Sequence, residues 1–361
     1  MLSRRSLLKG LIGAALFPSA AMAAAENRSN RNCLEEVPFG PFRVGIGGKI
    51  GFMDNRGNVV VPIRFEDALW FSEGSGPVVH RGRWGYIDHH GDWVIEPQWK
   101  EATVFRCGLG AVRGDDGWVV INRRGKAAFE GKFRNPPQFS EGFAAARRGG
   151  SFGYLDTAGR FVIPPAFPAE DAGGGSSWYT ASPFSEGLAS IRVPGGLHGF
   201  IDTAGRFAVP PMFCGTEHFQ EGLAAVMLPP PDCRWIYINV SGEAACGGRI
   251  FSEANPFSEG VAAVHARGHG WGFIDRHGDW AIEPRKEFLW AREFSEGLAS
   301  IAFRRGGIGY IDRSGNVRIP PKNWSWGGRF EGGTAPVQSE GDWRKWGYID
   351  TSGKYIWEPT A

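Results

Sequence analysis

Short segments of alternating apolar and polar residues recur along the chain in a fixed order. Each begins with a bulky, usually aromatic residue, continues through Gly, an apolar pair and Asp or Asn, and ends with two polar or small residues and Gly. This pattern predicts a strand, a tight turn and a second strand, because Asp can accept backbone amides ahead of it and Gly tolerates positive φ. The nine copies are GFMDNRG from Gly51, WGYIDHHG from Trp84, WVVINRRG from Trp118, FGYLDTAG from Phe152, HGFIDTAG from His198, WIYINVSG from Trp235, WGFIDRHG from Trp271, IGYIDRSG from Ile308 and WGYIDTSG from Trp346.

A second phrase, built on Phe-Ser-Glu-Gly, keeps the same spacing as the first. A third strand such as FAAAR from Phe143 follows it, so each unit is predicted to be a three-stranded β-meander. Successive Asp or Asn turn residues are 34 to 38 residues apart, except for one gap of 46 that contains an insertion at about residues 169–180. The phrase reads FSEG at Phe71, Phe139, Phe184, Phe257 and Phe294, FQEG at Phe219, FRCG at Phe105 and FEGG at Phe330.

A repeat of this length indicates that neighbouring units stack, because three short strands cannot bury both of their faces alone. We therefore predict an all-β array of about nine units over residues 43–361. An open or curved β-solenoid is favoured, because a closed β-propeller normally has nearly equal blades of four strands. The closed β-propeller is the alternative architecture. The Gly after the aromatic residue is expected to leave room for a side chain or backbone segment of the adjacent unit.

Composition supports a turn-rich β protein and restricts its partners. Gly (54) and Pro (24) together exceed a fifth of the 361 residues without a collagen period, which is typical of a turn-dense all-β chain. The formal net charge is +2, and no block of basic residues marks a nucleic-acid site. We expect a monomeric protein without a nucleic-acid partner.

The first 23 residues have the pattern of an export signal. The segment SRRSLLK from Ser3 resembles the twin-arginine motif, an apolar run from Gly10 to Phe17 follows, and AMA ending at Ala23 is a site that signal peptidase would accept. We predict a signal peptide over residues 1–23 with cleavage near Ala23, a lead-in over residues 24–42, and a periplasmic location. No other stretch reaches membrane-spanning length, so the mature protein is not expected to span a membrane.

Trp-Gly pairs open three of the nine copies, at Trp84, Trp271 and Trp346. Together with the recurring FSEG phrase, these copies resemble the bacterial WG-repeat family over about residues 43–359. The resemblance implies a β-structured repeat protein that acts by binding, and it implies no particular ligand. Units three and six differ most from the family pattern. The departures are Asn122 and Asn239 for Asp, Val119 and Ile236 for Gly, and Cys107 for the Glu of FSEG.

Carboxylates recur from unit to unit and are predicted to be structural. Glycoside hydrolysis needs one carboxyl pair at a defined separation, whereas most units here repeat the same Asp and the same Glu. The Asp is expected to cap its turn, and the Glu to anchor a loop by accepting backbone amides. His89, His90 and His277 lie at turn positions, where adjacent side chains point apart and seldom chelate a metal ion together. We predict no catalytic, cofactor-binding or metal site.

Aromatic residues outside the repeat pattern are the candidates for stacking on a ligand. Trp324 and Trp326 would share one face if their segment is extended. Trp178 and Tyr179 lie in the insertion, where loops often carry function. The full set is Trp70, Trp178, Tyr179, Trp290, Trp324 and Trp326.

The cysteines do not form a disulfide framework. Their odd number and irregular spacing argue against one, although the periplasm permits disulfides. Cys233 and Cys246 flank a predicted hairpin, and they are the pair that we predict to be bonded.

Taken together, these features predict a binding protein rather than an enzyme. We interpret the chain as an exported, non-catalytic binding or scaffold protein whose β surface engages a protein partner. A carbohydrate-binding or peptidoglycan-binding protein of the cell envelope is the alternative, since aromatic-rich hairpin repeats suit stacking on sugars. A periplasmic hydrolase is the third interpretation, and the absence of a unique catalytic constellation counts against it.

Overall fold

The computed structural model describes residues 40–168, 181–341 and 345–360. These residues form 32 strands, β1 to β32, in nine antiparallel sheets, and each sheet is made of strands that are consecutive in the chain. The same residues also include a 3-10 turn at Cys246–Gly248. A complete sheet has four strands, which we call A, B, C and D in chain order.

The first five sheets contain strands β1 to β17. Sheet 1 has the B, C and D strands β1 (Phe42–Ile46), β2 (Lys49–Met53) and β3 (Val59–Phe65). Sheet 2 has all four strands, β4 (Asp67–Ala68), β5 (Gly76–His80), β6 (Arg83–Ile87) and β7 (Trp93–Trp99). Sheet 3 has the A, B and C strands β8 (Glu101–Ala102), β9 (Leu109–Arg113) and β10 (Trp118–Asn122). Sheet 4 has β11 (Phe139–Ser140), β12 (Phe143–Arg148), β13 (Ser151–Leu155) and β14 (Phe161–Pro168), and sheet 5 has the B, C and D strands β15 (Leu188–Arg192), β16 (His198–Asp202) and β17 (Phe207–Phe213).

The last four sheets contain strands β18 to β32. Sheet 6 has the A, B and C strands β18 (Gly215–Thr216), β19 (Leu223–Met227) and β20 (Trp235–Asn239). Sheet 7 has β21 (Glu253–Ala254), β22 (Val261–Ala266), β23 (Gly270–Asp275) and β24 (Trp280–Arg285). Sheet 8 has β25 (Phe288–Ser295), β26 (Leu298–Phe303), β27 (Gly307–Asp312) and β28 (Val317–Lys322). Sheet 9 has β29 (Trp324–Gly327), β30 (Thr334–Ser339), β31 (Trp346–Asp350) and β32 (Tyr355–Thr360).

The predicted Asp or Asn turn follows the C strand of every sheet. In sheet 8, Oδ1 of Asp312 accepts hydrogen bonds from the amides of Ser314 and Asn316 at 2.9 and 3.0 Å. Asn122 in sheet 3 makes the same pair of bonds through its side-chain oxygen, at 2.9 and 3.2 Å. The prediction that these residues cap their turns is therefore confirmed.

The Gly after the leading aromatic residue makes room for the D strand of its own sheet. A Cβ added at Gly85 would lie 2.7 Å from both the carbonyl oxygen of Ile95 and the nitrogen of Pro97, which belong to the D strand of sheet 2. The register between the C and D strands shifts beside Gly85, as expected for a β-bulge. The expected contact of this Gly with an adjacent unit is wrong, because the bulged strand of the same unit fills the space.

Sheets 3 and 6 have a larger residue where the other sheets have this Gly. Val119 and Ile236 occupy the position. In sheet 3 the segment after the turn meets the C strand only through isolated bridges, such as Trp118 with Phe133, and sheet 6 has the same arrangement. The larger side chain prevents the close approach of a bulged strand, so neither sheet has a regular D strand. The sequence divergence of units three and six therefore has a structural consequence.

Sheets 9 and 1 pack together through contacts like those that join consecutive sheets. In most units the hydroxyl of a C-strand Tyr donates to a backbone carbonyl of the next sheet, and Tyr348 of sheet 9 donates to the carbonyl of Arg43 in sheet 1 at 2.8 Å. A Cβ on the turn residue Gly57 of sheet 1 would lie 2.6 Å from the carbonyl oxygen of Ile356 in sheet 9. The ring of sheets is therefore closed. The equivalent Tyr hydrogen bonds, at 2.6 to 2.8 Å, join Tyr86 to Thr103, Tyr154 to Ser182, Tyr237 to Asn255 and Tyr310 to Gly328.

The protein is a nine-bladed β-propeller, and the open or curved β-solenoid expected from the sequence is wrong. The repeat pattern predicts three strands in each unit, but five sheets have four strands. The additional A strand can be as short as Asp67–Ala68, and it lies in a segment that reads as a polar link before FSEG. Two residues are too few to produce a periodic pattern, so the units seemed too small for propeller blades. Similar contacts between successive blades give a similar rotation at each step, and nine such steps complete the ring.

The hydrophobic core lies between neighbouring blades. The Phe of an FSEG phrase packs against an aromatic ring in the C strand of the preceding blade. The ring centroids of Phe184 and Tyr154 are 4.8 Å apart, as are those of Phe294 and Phe273, and all four side chains are buried. Aromatic pairs at this separation add stability beyond the burial of their area. The two repeated phrases therefore meet at the blade interfaces, and functional residues are to be sought outside them.

We expect the propeller to lose stability in acid because several turn aspartates have a lowered pKa. The hydrogen bond from the backbone amide of Asn316 holds the pKa of Asp312 below its usual value. A lowered pKa in the folded state adds stability above the pKa of the unfolded chain, and this stability is lost as the pH falls through the folded-state value. The melting temperature should therefore decrease as the pH is lowered below about 4. The pKa is also lowered at Asp54, Asp88, Asp156 and Asp350.

A variant with Asn in place of all five aspartates is the control for this acid effect. Asn122 and Asn239 already cap two turns without a charge, so the variant should keep the fold at neutral pH. Its melting temperature should decrease less between about pH 4 and pH 2 than that of the natural protein. Equal decreases in the two proteins would assign the acid effect to other groups.

Candidate functional site

The antiparallel strand order places different connections on the two faces of the ring. The FSEG turns join A to B strands and the Asp turns follow the C strands, so both lie on one face, here called the turn face. The B–C hairpins and the links to the next A strand lie on the opposite face, here called the hairpin face. The turn face repeats from blade to blade, whereas the B–C loops vary from two residues at 47–48 to seven at 228–234.

On the turn face, the Glu of each FSEG phrase binds the next blade. Glu141 accepts the amides of Glu186 and Gly187 at 2.6 and 2.9 Å, and Oγ of Ser140 donates to the carbonyl of Phe184 at 2.7 Å. Glu141 has a φ of 53°, an uncommon conformation for a residue with a Cβ, and the carboxylate contacts help to hold it. The equivalent bonds join Glu73 to Gly108, Glu186 to Gly222, Glu221 to Gly260, Glu259 to Gly297, and Glu296 to Gly332 and Gly333.

These contacts confirm the loop-anchoring role that the sequence predicted for the Glu series. Each carboxylate accepts one or two backbone amides of the next blade. Arg123 adds an ion pair to Glu73, with 3.0 Å between the guanidinium nitrogen and the carboxylate oxygen. The Glu residues of the turn face therefore join neighbouring blades.

Replacing Glu141 by Gln is expected to lower the free energy of unfolding by about 1.5 kcal/mol, because a charge-assisted hydrogen bond is lost. The NH2 group of Gln cannot accept a bond from a backbone amide. Urea unfolding of the two proteins measures the difference. Glu253→Gln is the matched control, since Glu253 is exposed in the A strand of blade 7, and it should change stability by less than about 0.5 kcal/mol. Similar losses at both positions would contradict the anchoring role.

The hairpin face carries a surplus of positive charge. The surplus lies in the B–C loops and in the residue on either side of each loop. Such a surplus attracts anionic partners over several ångströms. The eleven basic residues in the described part are Lys49, Arg81, Arg83, Arg113, Arg148, Arg192, Arg234, Arg267, Arg304, Arg305 and Lys345, and the four acidic residues are Asp115, Asp116, Asp232 and Glu340.

Two open clefts lie between neighbouring blades on the hairpin face. One is bounded by the hairpins of blades 7 and 8 and the link between them, and its lining includes His265, Lys286 and Arg304. The other lies between the hairpins of blades 6 and 7, and its lining includes Arg234 and Arg267. The two clefts are neighbours across blades 6 to 8. They present a concave basic surface that a protruding segment of a partner would fit.

The tryptophans predicted to stack on a ligand lie in different environments. Trp324 is only 4% exposed and donates its Nε1 to the hydroxyl of Tyr355 at 2.7 Å, so it belongs to the core between blades 8 and 9. Trp70 is 60% exposed and follows the A strand of blade 2, so it remains available to a ligand. Trp178 and Tyr179 lie outside the described residues.

Trp290 and Trp326 enclose an arginine that sequence reasoning missed. Cζ of Arg292 lies 4.5 Å from the ring centre of Trp290 and 4.8 Å from that of Trp326. Trp346 packs against Trp326 with 5.3 Å between ring centroids and is 40% exposed. Burial lowers the pKa of the Arg292 guanidinium, which stays protonated at neutral pH. The one sequence signal was that Trp290 and Arg292 are two residues apart on the same strand, and so lie on the same side of it.

The predicted disulfide between Cys233 and Cys246 does not form in this structure. Cys233 is a free, exposed thiol in the B–C hairpin of blade 6, and Cys246 is a free, buried thiol in the 3-10 turn. Burial raises the pKa of Cys246 to about 12, so its reactive thiolate form is scarce. Cys107, which stands in place of the FSEG Glu in blade 3, is disulfide-bonded.

The described ranges hold neither a cluster of metal ligands nor a membrane-spanning helix. No group of three or more His, Cys, Asp or Glu side chains in residues 40–168, 181–341 and 345–360 is arranged around a possible metal ion. His89 instead packs against the ring of Phe71, with 4.9 Å between ring centroids. In these same ranges no helix has the length and apolar character needed to cross a membrane.

Five segments of the chain match the family described as WG containing repeat. They are residues 50–83, 84–118, 199–228, 271–302 and 308–343. Each matched segment runs from the C strand of one blade to the B strand of the next, so the sequence unit and the structural blade are offset by about half a repeat. No curated protein matches the chain.

Solved structures resemble the chain in fold at low sequence identity. A structure described as the crystal structure of the eukaryotic initiation factor is 12% identical, with a TM-score of 0.59 over 88% of this chain and 96% of that chain. BamB from Moraxella catarrhalis is 10% identical, with a TM-score of 0.42 over 76% of this chain and 93% of that chain. At such identities a likeness concerns the fold alone. The chain carries WG-containing repeats in a nine-bladed β-propeller.

Proposed function

We propose that this protein is a non-catalytic binding scaffold that presents its hairpin face to a protein partner. The observation that carries the proposal is the difference between the two faces. On the turn face the same carboxylate and hydroxyl bonds recur from blade to blade, whereas the hairpins differ in length and form basic clefts. Variable loops on a rigid ring are a common way to build a binding surface.

The positions of the tryptophans favour a protein partner over a sugar. Stacking on a glycan needs exposed rings with free faces. Trp324 is in the core, and the guanidinium of Arg292 covers rings of Trp290 and Trp326. Trp70, although exposed, follows the A strand of blade 2, which is two blades from blade 9 around the closed ring. A broad basic face with separate clefts suits a protein surface better than a linear sugar chain.

We further propose that the protein acts in the periplasm. Residues 1–23 have the pattern of a twin-arginine signal, and they lie outside the described residues. Cys107 is disulfide-bonded, and disulfides persist in oxidising compartments such as the periplasm. A scaffold that folds before export is compatible with the twin-arginine route. Fractionation of cells that produce the full chain tests the location, and recovery of the protein only from the cytoplasm would overturn it.

Site-specific photo-crosslinking tests the binding face. A benzoylphenylalanine residue replaces Arg83 or Arg267 on the hairpin face, or the exposed Arg124 or Lys354 on the turn face. We expect the same protein to be crosslinked from both hairpin positions and from neither turn position. A partner captured only from the turn face would overturn the proposed surface. Quenching of tryptophan fluorescence by murein fragments, without a protein crosslink, would favour the glycan alternative.

A further inference from the structure

The aromatic cluster between blades 8 and 9 contains an arginine, Arg292, whose charge is influenced by the neighbouring Glu293 but which forms no ion pair among the described residues. Among the described residues no acceptor lies within hydrogen-bonding distance of Nε of Arg292, which is buried. No carboxylate in that part of the chain is close enough to form an ion pair with its guanidinium. Burying a polar group without a hydrogen-bond partner costs stability. The indole faces of Trp290 and Trp326 offset part of this cost through cation–π contacts.

The repeat architecture does not require this cluster. Arg292 stands two residues before the Phe of FSEG, where other blades have Leu69, Thr103, Glu217 or Asn255. Trp290 and Trp326 stand four residues before that Phe, where the same blades have Asp67, Glu101, Gly215 and Glu253. Those blades pack without an aromatic pair at this point. The arginine and its two tryptophans are therefore additions to the scaffold, as residues of a binding site would be.

Trp346 gives the cluster an exposed edge next to the hairpin face. Trp346 is the first residue of the C strand of blade 9 and directly follows the B–C loop. Trp290 lies at the start of the A strand of blade 8, beside Leu289 in the wall of the cleft between blades 7 and 8. Lys286 and Arg304 line the same cleft. An approaching ligand therefore meets positive charge before it reaches Arg292.

We propose that Arg292, Trp290, Trp326 and Trp346 form the anchor site for an acidic segment of the protein partner. A Glu or Asp carboxylate of the partner binds the terminal nitrogens of the guanidinium as a two-pronged pair, a geometry that Arg favours. The exposed edge of Trp346 packs against a neighbouring apolar side chain of the same segment. This inference rests on the proposed function, because it names the chemistry by which the hairpin face would recognise its partner.

Titration calorimetry with a short acidic peptide tests the anchor site. The probe is N-acetyl-Glu-Phe-Glu-Phe-Glu-amide, and the matched peptide has Gln in place of each Glu. We expect the mature protein to bind the acidic peptide at least about tenfold more tightly than the Gln peptide, a ratio that corresponds to about 1.4 kcal/mol. Absence of binding to the acidic peptide, or equal affinity for the two peptides, would overturn the proposal.

Variants at position 292 separate the guanidinium fork from its charge. Arg292→Gln and Arg292→Lys should both weaken binding of the acidic peptide about tenfold or more, because Lys keeps the charge but loses the paired donors. Arg318→Gln is the matched control, since Arg318 is exposed on the D strand of the same blade, and it should change affinity less than about twofold. Unchanged melting temperatures show that the variants are folded. Wild-type affinity in Arg292→Gln would overturn the anchor site.

Two further measurements separate the anchor site from the general function. If Arg292→Gln still crosslinks the same partner from Arg83 and Arg267 with undiminished yield, the anchor is wrong and the scaffold function stands. If no position on the hairpin face yields a crosslinked protein, the scaffold function itself fails. Polygalacturonate is the competing probe, because it carries carboxylates on a sugar chain. Binding of polygalacturonate that depends on Arg292, without binding of the peptide, would overturn the assignment to a protein segment.

Discussion

Ending the chain at Asn323, which removes blade 9, is expected to abolish cooperative unfolding. Blade 8 would expose residues such as Tyr310 and Ile319, which now pack against Trp324 and Phe330. Blade 1 would lose its contacts with sheet 9 at the same time. Burying a large apolar side chain contributes about 1.5–3 kcal/mol. The stability lost when several such side chains become exposed on two surfaces is therefore comparable to the whole net stability of a protein, about 5–15 kcal/mol. Circular dichroism during heating should show a broad change without a defined midpoint.

A circular permutant is the control for this truncation. Joining residue 360 to residue 24 through a flexible linker, and opening the chain in the B–C loop at 193–197, keeps all nine blades and all five cysteines. This permutant should unfold in one transition close to that of the natural protein. An open array would respond differently, because removal of a terminal unit would leave the remaining stack folded. A sharp transition in the truncated chain would therefore contradict the closed ring.

Gly272→Ala is expected to lower the free energy of unfolding by about 3 kcal/mol, the upper part of the range for overpacking a tightly packed site. The added Cβ would lie 2.7 Å from both the carbonyl oxygen of Ile282 and the nitrogen of Pro284. These are backbone atoms, so no side-chain rotation relieves the clash. Denaturation by urea, analysed for the midpoint and the slope, measures the loss.

Gly114→Ala is the matched control for the clash at Gly272. Nothing lies within 4 Å of the Cβ that would be added at Gly114, and its φ is not in the left-handed region. The change should therefore alter stability by less than about 0.5 kcal/mol. A loss at Gly272 no greater than that at Gly114 would show that the D strand can move away. Val119 and Ile236 indicate the cost of such movement, since their blades have no regular D strand.

Local features of the fold were predictable from the sequence, and closure of the ring was not. The Asp turns and the anchoring Glu residues depend on contacts within a few residues or on a phrase that repeats, so their roles followed from spacing. Closure depends on the rotation between blades, which is set by packing such as that of Phe294 on Phe273. No residue pattern encodes that angle directly. The contact of Tyr348 with Arg43 joins residues 305 positions apart.

The candidate site could be predicted only in part, because it too depends on how neighbouring blades pack together. Trp290 and Trp326 were predicted as ligand-stacking residues because they lie outside the repeat pattern. Arg292 was not, since its importance arises only when Trp326 of the next blade is placed over its guanidinium. Trp324 was misleading, because an aromatic residue outside a repeat can fill the core as readily as a surface. A prediction of stacking needs the exposure of each ring, and this depends on the tertiary structure.

The carboxylate bonds of the turn face all point to the following blade, and six of them are found among the described residues. None is found there between blades 1 and 2, 3 and 4, or 9 and 1. Cys107 replaces the Glu between blades 3 and 4, and Gly332 occupies the position between blades 9 and 1. Five such bonds in succession connect blades 4 to 9, from Glu141 to Glu296. The carboxylate bonds are therefore continuous from blade 4 to blade 9, whereas blades 1 to 3 have one such bond, between Glu73 and Gly108. Amide protons of blades 1 to 3 should exchange with solvent sooner than those of blades 4 to 9, because fewer of their joints carry this bond.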